Sequence, residues 1–283
     1  MNAAVITAVL AQHGPLLVSI LSAPWDGISA VASIGCLSRI PEATETVQEE
    51  KRRVETERAA FKRFAAEIRD LNVVDDPRSG MNGLLLTEPG RMSGDTTETV
   101  RSLYRETIMS VDHYEEEYDE PLRTNITAEL GPDFETAITT DDTLSQPLLD
   151  ALAERSHSVA QDRREYTARV ESELQSVTDA EERLQKITDL VERIQNWEIR
   201  SRPFQDLVDA EQELQAAEGR CKSIITLRQT EYVNAPKESE IHFREYLYQR
   251  YDWTHPVVSD VLDVVKNIQM AERSVLSAVV DRF

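Results

Sequence analysis

A heptad repeat of apolar residues dominates residues 145–200. With Leu149 taken as position a, eleven of the fourteen a and d positions as far as Ile194 are apolar, and no glycine or proline lies between residues 148 and 202. The three polar exceptions are Ser156, Arg163 and Glu173. This repeat predicts one helix about 80 Å long, with a single apolar seam of the coiled-coil type.

A second seam follows the helix-breaking pair Arg202-Pro203. It consists of Leu207, Ala210, Leu214, Ala217, Cys221 and Ile224. A tight turn between two periodic helices predicts an antiparallel hairpin of residues 145–200 with 204–234. The second helix is shorter, so one end of the long helix needs another surface: helix 42–71, the C-terminal helix or a second protomer. A parallel homodimer through the 145–200 seam is the rival arrangement.

The remaining periodic segments are also helical. Val47, Val54, Phe61 and Ile68 recur at heptad spacing after Pro41, and two more apolar-faced segments follow Pro236. Asp95-Thr96-Thr97-Glu98 has capping-box spacing, and we expect it to start a helix that continues through residues 110–122. No alternating strand pattern is present. The predicted fold class is all-α, an elongated helical bundle with a long antiparallel coiled-coil hairpin.

The first 40 residues differ from the rest, which predicts a division into an N-terminal segment, 1–40, and a helical domain, 41–283. Residues 3–23 carry no charge over a length that could span a bilayer, although Gln12-His13-Gly14-Pro15 interrupts them. Two interpretations remain: short apolar helices packed on the protein or a partner, or a membrane anchor. If the segment spans a membrane, the basic residues 51–53 would keep the remainder in the cytoplasm.

The charge balance is strongly acidic, with 52 Asp and Glu against 31 Lys and Arg, for a net charge of −21. The lysines are few: Lys51, Lys62, Lys186, Lys222, Lys237 and Lys266. An acidic, lysine-poor surface stays hydrated in concentrated salt, where charge repulsion is screened over a few ångströms. We therefore expect a cytoplasmic protein of a salt-loving archaeon, either free or membrane-associated. Two cysteines without a metal-binding spacing fit a reducing compartment.

Nucleic-acid binding is not expected. The main basic run, Lys51-Arg52-Arg53, lies among glutamates, and no cluster of basic residues with interleaved aromatics occurs. Binding that depends on counterion release would also be weak in high salt.

Two histidine motifs are candidates for a divalent-metal site. His113, Glu117 and Glu120 share one helical face with Glu106, and Glu154-x-x-His157 matches one half of a di-metal helical motif. The alternative interpretation is a solvated acidic helix face. No second Glu-x-x-His, phosphate-binding loop or nucleophile motif is present, so no catalytic residue and no other cofactor is predicted.

Aromatic residues cluster near the C-terminal helix. Tyr246, Tyr248, Tyr251 and Trp253 are either a packing plug at the end of the bundle or a partner-binding patch.

Three segments resemble an uncharacterised family of haloarchaeal helical proteins: LYRETIMSVDHYEEEYDEPL at 103–122, ELGPDF at 129–134 and YLYQRYDWTHPVVS at 246–259. The resemblance covers about residues 41–283 and implies an acidic, all-helical, coiled-coil-containing protein. It implies no activity and no catalytic residues.

The sequence therefore favours a non-enzymatic interaction or scaffold protein that binds a protein partner or self-associates. Two alternatives are a metal-binding helical bundle that uses His113 or Glu154 and His157, and a coiled-coil protein anchored to a membrane through residues 3–23.

Overall fold

The computed structural model describes residues 37–71, 96–140, 144–234 and 243–282. The chain is all-α, as the sequence predicts. Its α-helices are α1 (Arg39–Asp70), α2 (Thr96–Thr107), α3 (Tyr114–Glu117), α4 (Leu122–Glu129), α5 (Pro132–Thr140), α6 (Gln146–Gln195), α7 (Phe204–Asn234), α8 (243–247) and α9 (Pro256–Val280). A 3₁₀ turn, Ile199–Ser201, joins α6 to α7.

The long helix α6 has 50 residues, which corresponds to about 75 Å. It begins directly after Ser145, whose side chain makes no capping hydrogen bond, and it ends five residues before the predicted boundary. The predicted seam is buried except at Arg163 and Tyr166, which are half-buried. The heptad pattern therefore identified the packed face of this helix.

Helices α6 and α7 form the predicted antiparallel hairpin. Near the turn, Arg193 bonds to Glu213 at 2.6 Å, and farther from it Ser176 donates to Glu231 at 2.6 Å. The small residues of the α7 seam lie in the same buried cluster as Leu184 and Ile187. These small side chains permit the close approach of α7 to its neighbours, of which α9 is the one it contacts most extensively.

Helix α1 covers the part of α6 that α7 does not reach. It also runs antiparallel to α6: Lys51 pairs with Glu171 at 2.8 Å, and Arg69 pairs with Glu154 at 3.3 Å. Of the three surfaces that the sequence left open for the end of the long helix, α1 is the main one in the structure. Because α1, α7 and α9 cover the α6 seam within a single chain, that seam is not available for a parallel homodimer.

The apolar core consists of two clusters along α6. One cluster combines the start of α1 with the second half of α6, α7, α8 and α9; the other combines the end of α1 with the first part of α6, α2, α4 and α5. On α6 the second cluster ends at Ala160 and the first begins at Val170. The α6 residues between these positions are thus less fully packed and face a groove.

The predicted continuous helix through residues 95–122 is wrong. Helix α2 ends at Thr107, residues 108–113 form turns, and α3 has only four residues. The Ser110 hydroxyl donates to the Glu106 carbonyl at 2.6 Å, and the turn places His113 in the protein interior. Local side-chain bonding of this kind competes with helix propagation.

The membrane-anchor hypothesis concerns residues 3–23, which lie outside the described residues. Residues 37–40, predicted to be part of the N-terminal segment, belong to the bundle: α1 starts at Arg39, and Ile40 is fully buried. Within the described ranges, no helix combines the length and the apolar character needed to cross a membrane.

Candidate functional site

A cavity of about 440 Å³ opens between the two core clusters. We call it the tyrosine groove, and its walls come from α1, residues 117–118, α6 and α8. It is lined by Glu50, Arg53, Val54, Glu57, Glu117, Tyr118, Asp162, Arg163, Tyr166 and Tyr246.

The heptad repeats of α1 and α6 explain why these side chains meet. On α1, Glu50 and Glu57 alternate with Val47, Val54 and Phe61 along one face, so they occupy core positions of that repeat. On α6, Arg163 and Tyr166 occupy the facing core positions. Polar side chains replace apolar ones on both helices at the same level, and the seam opens into a groove there.

Glu57 is the centre of a buried hydrogen-bond network. Its Oε2 accepts from Arg163 Nε at 2.8 Å, and its Oε1 accepts from Tyr118 at 2.9 Å and from His113 Nε2 at 3.0 Å. Arg163 also donates to Glu129 at 2.7 Å. Burial lowers the pKa of Arg163, but the two carboxylates outweigh burial and raise it, so this guanidinium stays charged.

Glu50 is a second, less strongly held carboxylate. Its Oε1 accepts from the Tyr166 hydroxyl at 2.9 Å, and no cation bonds to it within the part of the chain that the structure describes. Burial raises the pKa of Glu50, and the charges of Glu117 and Glu57 raise it further against the opposing effects of Tyr166 and Arg53. The neighbouring negative charges therefore act on Glu50 without a full counter-charge.

Tyr246 experiences the same negative potential. Burial, followed by the charges of Glu50, Glu117 and Glu57, raises the pKa of its phenol to about 12. Arg53 opposes this effect only in part, because it is bonded to Glu49, Glu116 and Glu117. Burial is the largest cause of the raised pKa of both Glu50 and Tyr246, and the negative charges of Glu57 and Glu117 raise both further.

The predicted metal ligands separate into two sets. His113 and Glu117 come together with Glu57, and one ligand atom from each of the three lies within 4.8 Å of the others. Glu154 instead pairs with Arg69, and His157 is exposed on α6. Glu120 has no place in the cluster; its backbone carbonyl accepts a hydrogen bond from Tyr114.

Arginines already occupy this cluster of three. Arg163 and Tyr118 hold both oxygens of Glu57, and Arg53 donates to Glu117 at 3.2 Å. His113 is 4% exposed and not on a solvated helix face, which corrects that interpretation for the histidine. A divalent cation would have to displace these donors and tolerate two guanidinium groups nearby. The arrangement is chemically closer to an ion-pair network than to a coordination sphere.

The four predicted partner-binding aromatics have different roles. Tyr246 is 44% exposed and lines the groove. Tyr248 is buried and donates to Glu173 at 2.9 Å, so it offers no surface to a partner. Tyr251 and Trp253 stack with ring centroids 4.1 Å apart, and Tyr251 bonds to Thr46 of α1 at 2.9 Å. The packing interpretation therefore describes Tyr248, Tyr251 and Trp253.

A second charged network lies inside the hairpin, away from the groove. Glu173, a polar seam position of α6, accepts from Arg228 of α7 at 2.8 Å and from Arg244 of α8 at 3.0 Å. All three side chains are buried. Burial alone would raise the pKa of Glu173, but the charge and hydrogen bond of Arg228, with Arg244 and Tyr248, hold it below its ordinary value of 4.5. This network fastens α8, and with it Tyr246, to the hairpin.

The described residues that line the groove include no serine, threonine, cysteine or lysine. The phenols of Tyr118 and Tyr166 have raised pKa values because of burial and the adjacent Glu57 and Glu50, so they remain protonated at neutral pH. The thiol of Cys221 lies outside the groove, and burial raises its pKa to about 11. Among the described residues that line it, the groove therefore offers no activated nucleophile.

The sequence did not predict the groove. It drew attention to three of the lining residues for other roles: Tyr246 in a partner-binding patch, Glu117 as a metal ligand and Arg163 as a polar seam position. Glu50, Glu57, Tyr118 and Asp162 were not proposed as site residues. A usable signal was present: Glu50 and Glu57 interrupt the apolar face of α1 at the spacing of its own heptad.

Comparison with known proteins gives a family and no functional relative. No curated protein and no solved structure matches the chain. A family model, described as "Domain of unknown function (DUF7260)", matches residues 38–272 and so includes every residue that lines the groove. The chain belongs to this uncharacterised family.

Proposed function

We propose that the protein is a non-enzymatic helical binding protein and that the tyrosine groove takes up a positively charged group. The observation that carries the proposal is the charge of the groove wall. Four carboxylates (Glu50, Glu57, Glu117 and Asp162) face two guanidinium groups (Arg53 and Arg163). Burial is the main cause of the raised pKa values of Glu50 and Tyr246, and the neighbouring negative charges raise both values further.

The position of the groove supports this proposal. It lies where two polar heptad levels interrupt the core, and binding sites between bundle helices are built from side chains on facing helices in this way. Placing charged groups at core positions costs stability, and a binding role accounts for that cost. The sequence favoured an interaction or scaffold role. The present proposal restricts that role to binding in the tyrosine groove.

Thermal unfolding in the presence of small ions tests the proposal. Ethanolamine, choline and arginine amide serve as cations, acetate and glutamate serve as anions, and sodium chloride keeps the ionic strength constant. We expect the cations to raise the melting temperature in a saturable manner and the anions to have no effect. Glu50→Gln should weaken the effect, whereas Glu182→Gln on the exposed face of α6 should not. Stabilisation by anions, or by no member of the panel, would contradict the proposal.

A metal-dependent role is the second candidate. The convergence of ligand atoms from Glu57, His113 and Glu117 within 4.8 Å favours it, although the adjacent arginines oppose it. Elemental analysis of the purified protein separates the two candidates. Stoichiometric zinc, manganese or iron that is lost in His113→Ala and kept in His157→Ala would replace the first proposal with the second.

A further inference from the structure

The chemistry of the groove restricts which cation it can bind, provided that the proposed function holds. A charged ligand needs either hydrogen-bond acceptors or a surface that attracts charge without them.

Free hydrogen-bond acceptors are scarce. Both oxygens of Glu57 are engaged by Arg163, Tyr118 and His113, and Glu117 Oε1 accepts from Arg53. Glu50 Oε1 accepts from Tyr166. Among the side-chain carboxylates of the described lining residues, this leaves Glu50 Oε2, Glu117 Oε2 and the exposed carboxylate of Asp162. A guanidinium group has five N–H donors and a primary ammonium has three, and each donor needs one of these few oxygens, whereas a quaternary ammonium group has no N–H donor to satisfy.

Aromatic surface is abundant in comparison. Tyr118, Tyr166 and Tyr246 line the cavity together with the apolar side chain of Val54. A tyrosine ring attracts a cation through its quadrupole, and this attraction is strong for ammonium groups whose methyl groups leave them weakly hydrated. The cavity of about 440 Å³ is within the size range of small-molecule sites.

From this balance we infer that the groove binds a small molecule that carries a methylated, quaternary ammonium group. The methyl groups contact the tyrosine rings and Val54. The diffuse positive charge is neutralised by Glu50 and the surrounding carboxylates without requiring directed hydrogen bonds. The negative wall excludes anionic ligands of the same size.

Isothermal titration calorimetry with choline and ethanolamine tests this inference directly. The two molecules share a charge and a skeleton and differ only in three methyl groups. At a fixed sodium chloride concentration, we expect choline to bind with one-to-one stoichiometry and about tenfold more tightly than ethanolamine.

Variants then assign the binding to the groove. Tyr246→Ala should reduce the affinity for choline about tenfold and remove the preference over ethanolamine. Phe204→Ala is the matched control, because Phe204 is 45% exposed, against 44% for Tyr246, and it does not line the groove. Both positions are exposed, so both variants should fold, and circular dichroism checks this.

The outcomes separate the ligand class from the proposed function. If ethanolamine or arginine amide binds as tightly as choline and Glu50→Gln weakens that binding, the ligand class is wrong and the cation-binding proposal survives. If no cation binds, both the ligand class and the proposed cation-binding function are wrong. The third ligand to test is a peptide that carries trimethyllysine. If it binds more tightly than choline and Tyr246→Ala weakens its binding to the same degree, the result supports a quaternary ammonium ligand. It would also show that this ammonium group belongs to a protein side chain.

Discussion

At the scale of single residues, the protein places charge where a helical bundle normally places apolar side chains. Glu50, Glu57, Arg163, Glu173 and Arg228 all occupy core positions of their heptads. They are used in two ways. Glu173 and Arg228 neutralise each other inside the hairpin, whereas Glu50 keeps an unbalanced charge at the edge of the groove.

We expect the ionised Glu50 carboxylate, which is needed for cation binding, to lower the stability of the folded protein. A carboxyl group whose folded pKa is raised is harder to ionise in the native state, so ionisation destabilises the fold as pH rises above the unfolded value. Glu50→Gln keeps an acceptor for Tyr166 and removes the charge. We expect the melting temperature at pH 7 to rise by about 2 °C, while the affinity for cations falls. A lower melting temperature together with unchanged cation affinity would show that Glu50 has only a structural role.

Replacing Glu173 should lower the stability of the protein, in contrast to replacing Glu50. Glu173→Ala leaves Arg228 and Arg244 buried beside no carboxylate from α6, and we expect a loss of about 3–5 kcal/mol in the free energy of unfolding. Urea unfolding followed by circular dichroism measures this loss. Glu182→Ala in the same helix is exposed and should change stability by about 0.5 kcal/mol or less. Equal effects in the two variants would mean that the buried network contributes nothing.

The pH dependence of stability follows from the same network. Because the folded pKa of Glu173 is held below 4.5, its contribution is present above that pH and is lost as pH falls through the folded value. The wild-type protein should therefore lose stability in acid more steeply than Glu173→Gln. Parallel stability profiles of the two proteins below about pH 4.5 would contradict the assigned charge state.

At the scale of elements, the apolar periodicity was sufficient to predict the main helices and the α6–α7 hairpin, but it left open which surface covers the other end of α6. The α6 and α7 seams recur as buried positions, since repeated contact between two helices requires a regular repeat. The break at residues 108–113 could not be predicted in the same way, because helical periodicity continues through it. Burial of His113 against Glu57, 56 residues earlier in the chain, favours the turn, and a local pattern contains no such information.

The α6–α7 hairpin should depend on its central leucine. Leu184 is fully buried in the cluster that joins both helices to α9, so Leu184→Ala should cost about 2–5 kcal/mol, and Leu184→Asp should unfold the hairpin. Leu227→Ala on the exposed face of α7 is the control and should be close to neutral. Urea unfolding of the three variants provides the comparison. A Leu184→Ala variant as stable as the control would show that α6 and α7 do not pack along this seam.

At the scale of the whole molecule, the charge excess is the dominant property. A net charge of −21 remains after all 31 Lys and Arg are counted, and Arg53 alone is shared by three carboxylates. We expect helicity, measured by circular dichroism, to fall when salt decreases to about 0.1 M, where repulsion extends over roughly 10 Å. Unchanged helicity across the titration would count against the halophilic adaptation that we propose from composition.

The same charge excess makes a site-specific measurement necessary, since any cation will collect weakly around so acidic a surface. Backbone amide chemical-shift mapping during a choline titration, at constant ionic strength, separates the groove from this background. We expect saturable shifts concentrated at Glu50, Tyr166 and Tyr246, which disappear in Tyr246→Ala. Shifts that increase linearly and spread over the acidic faces of α6 and α7 would contradict the claim that the tyrosine groove is the binding site.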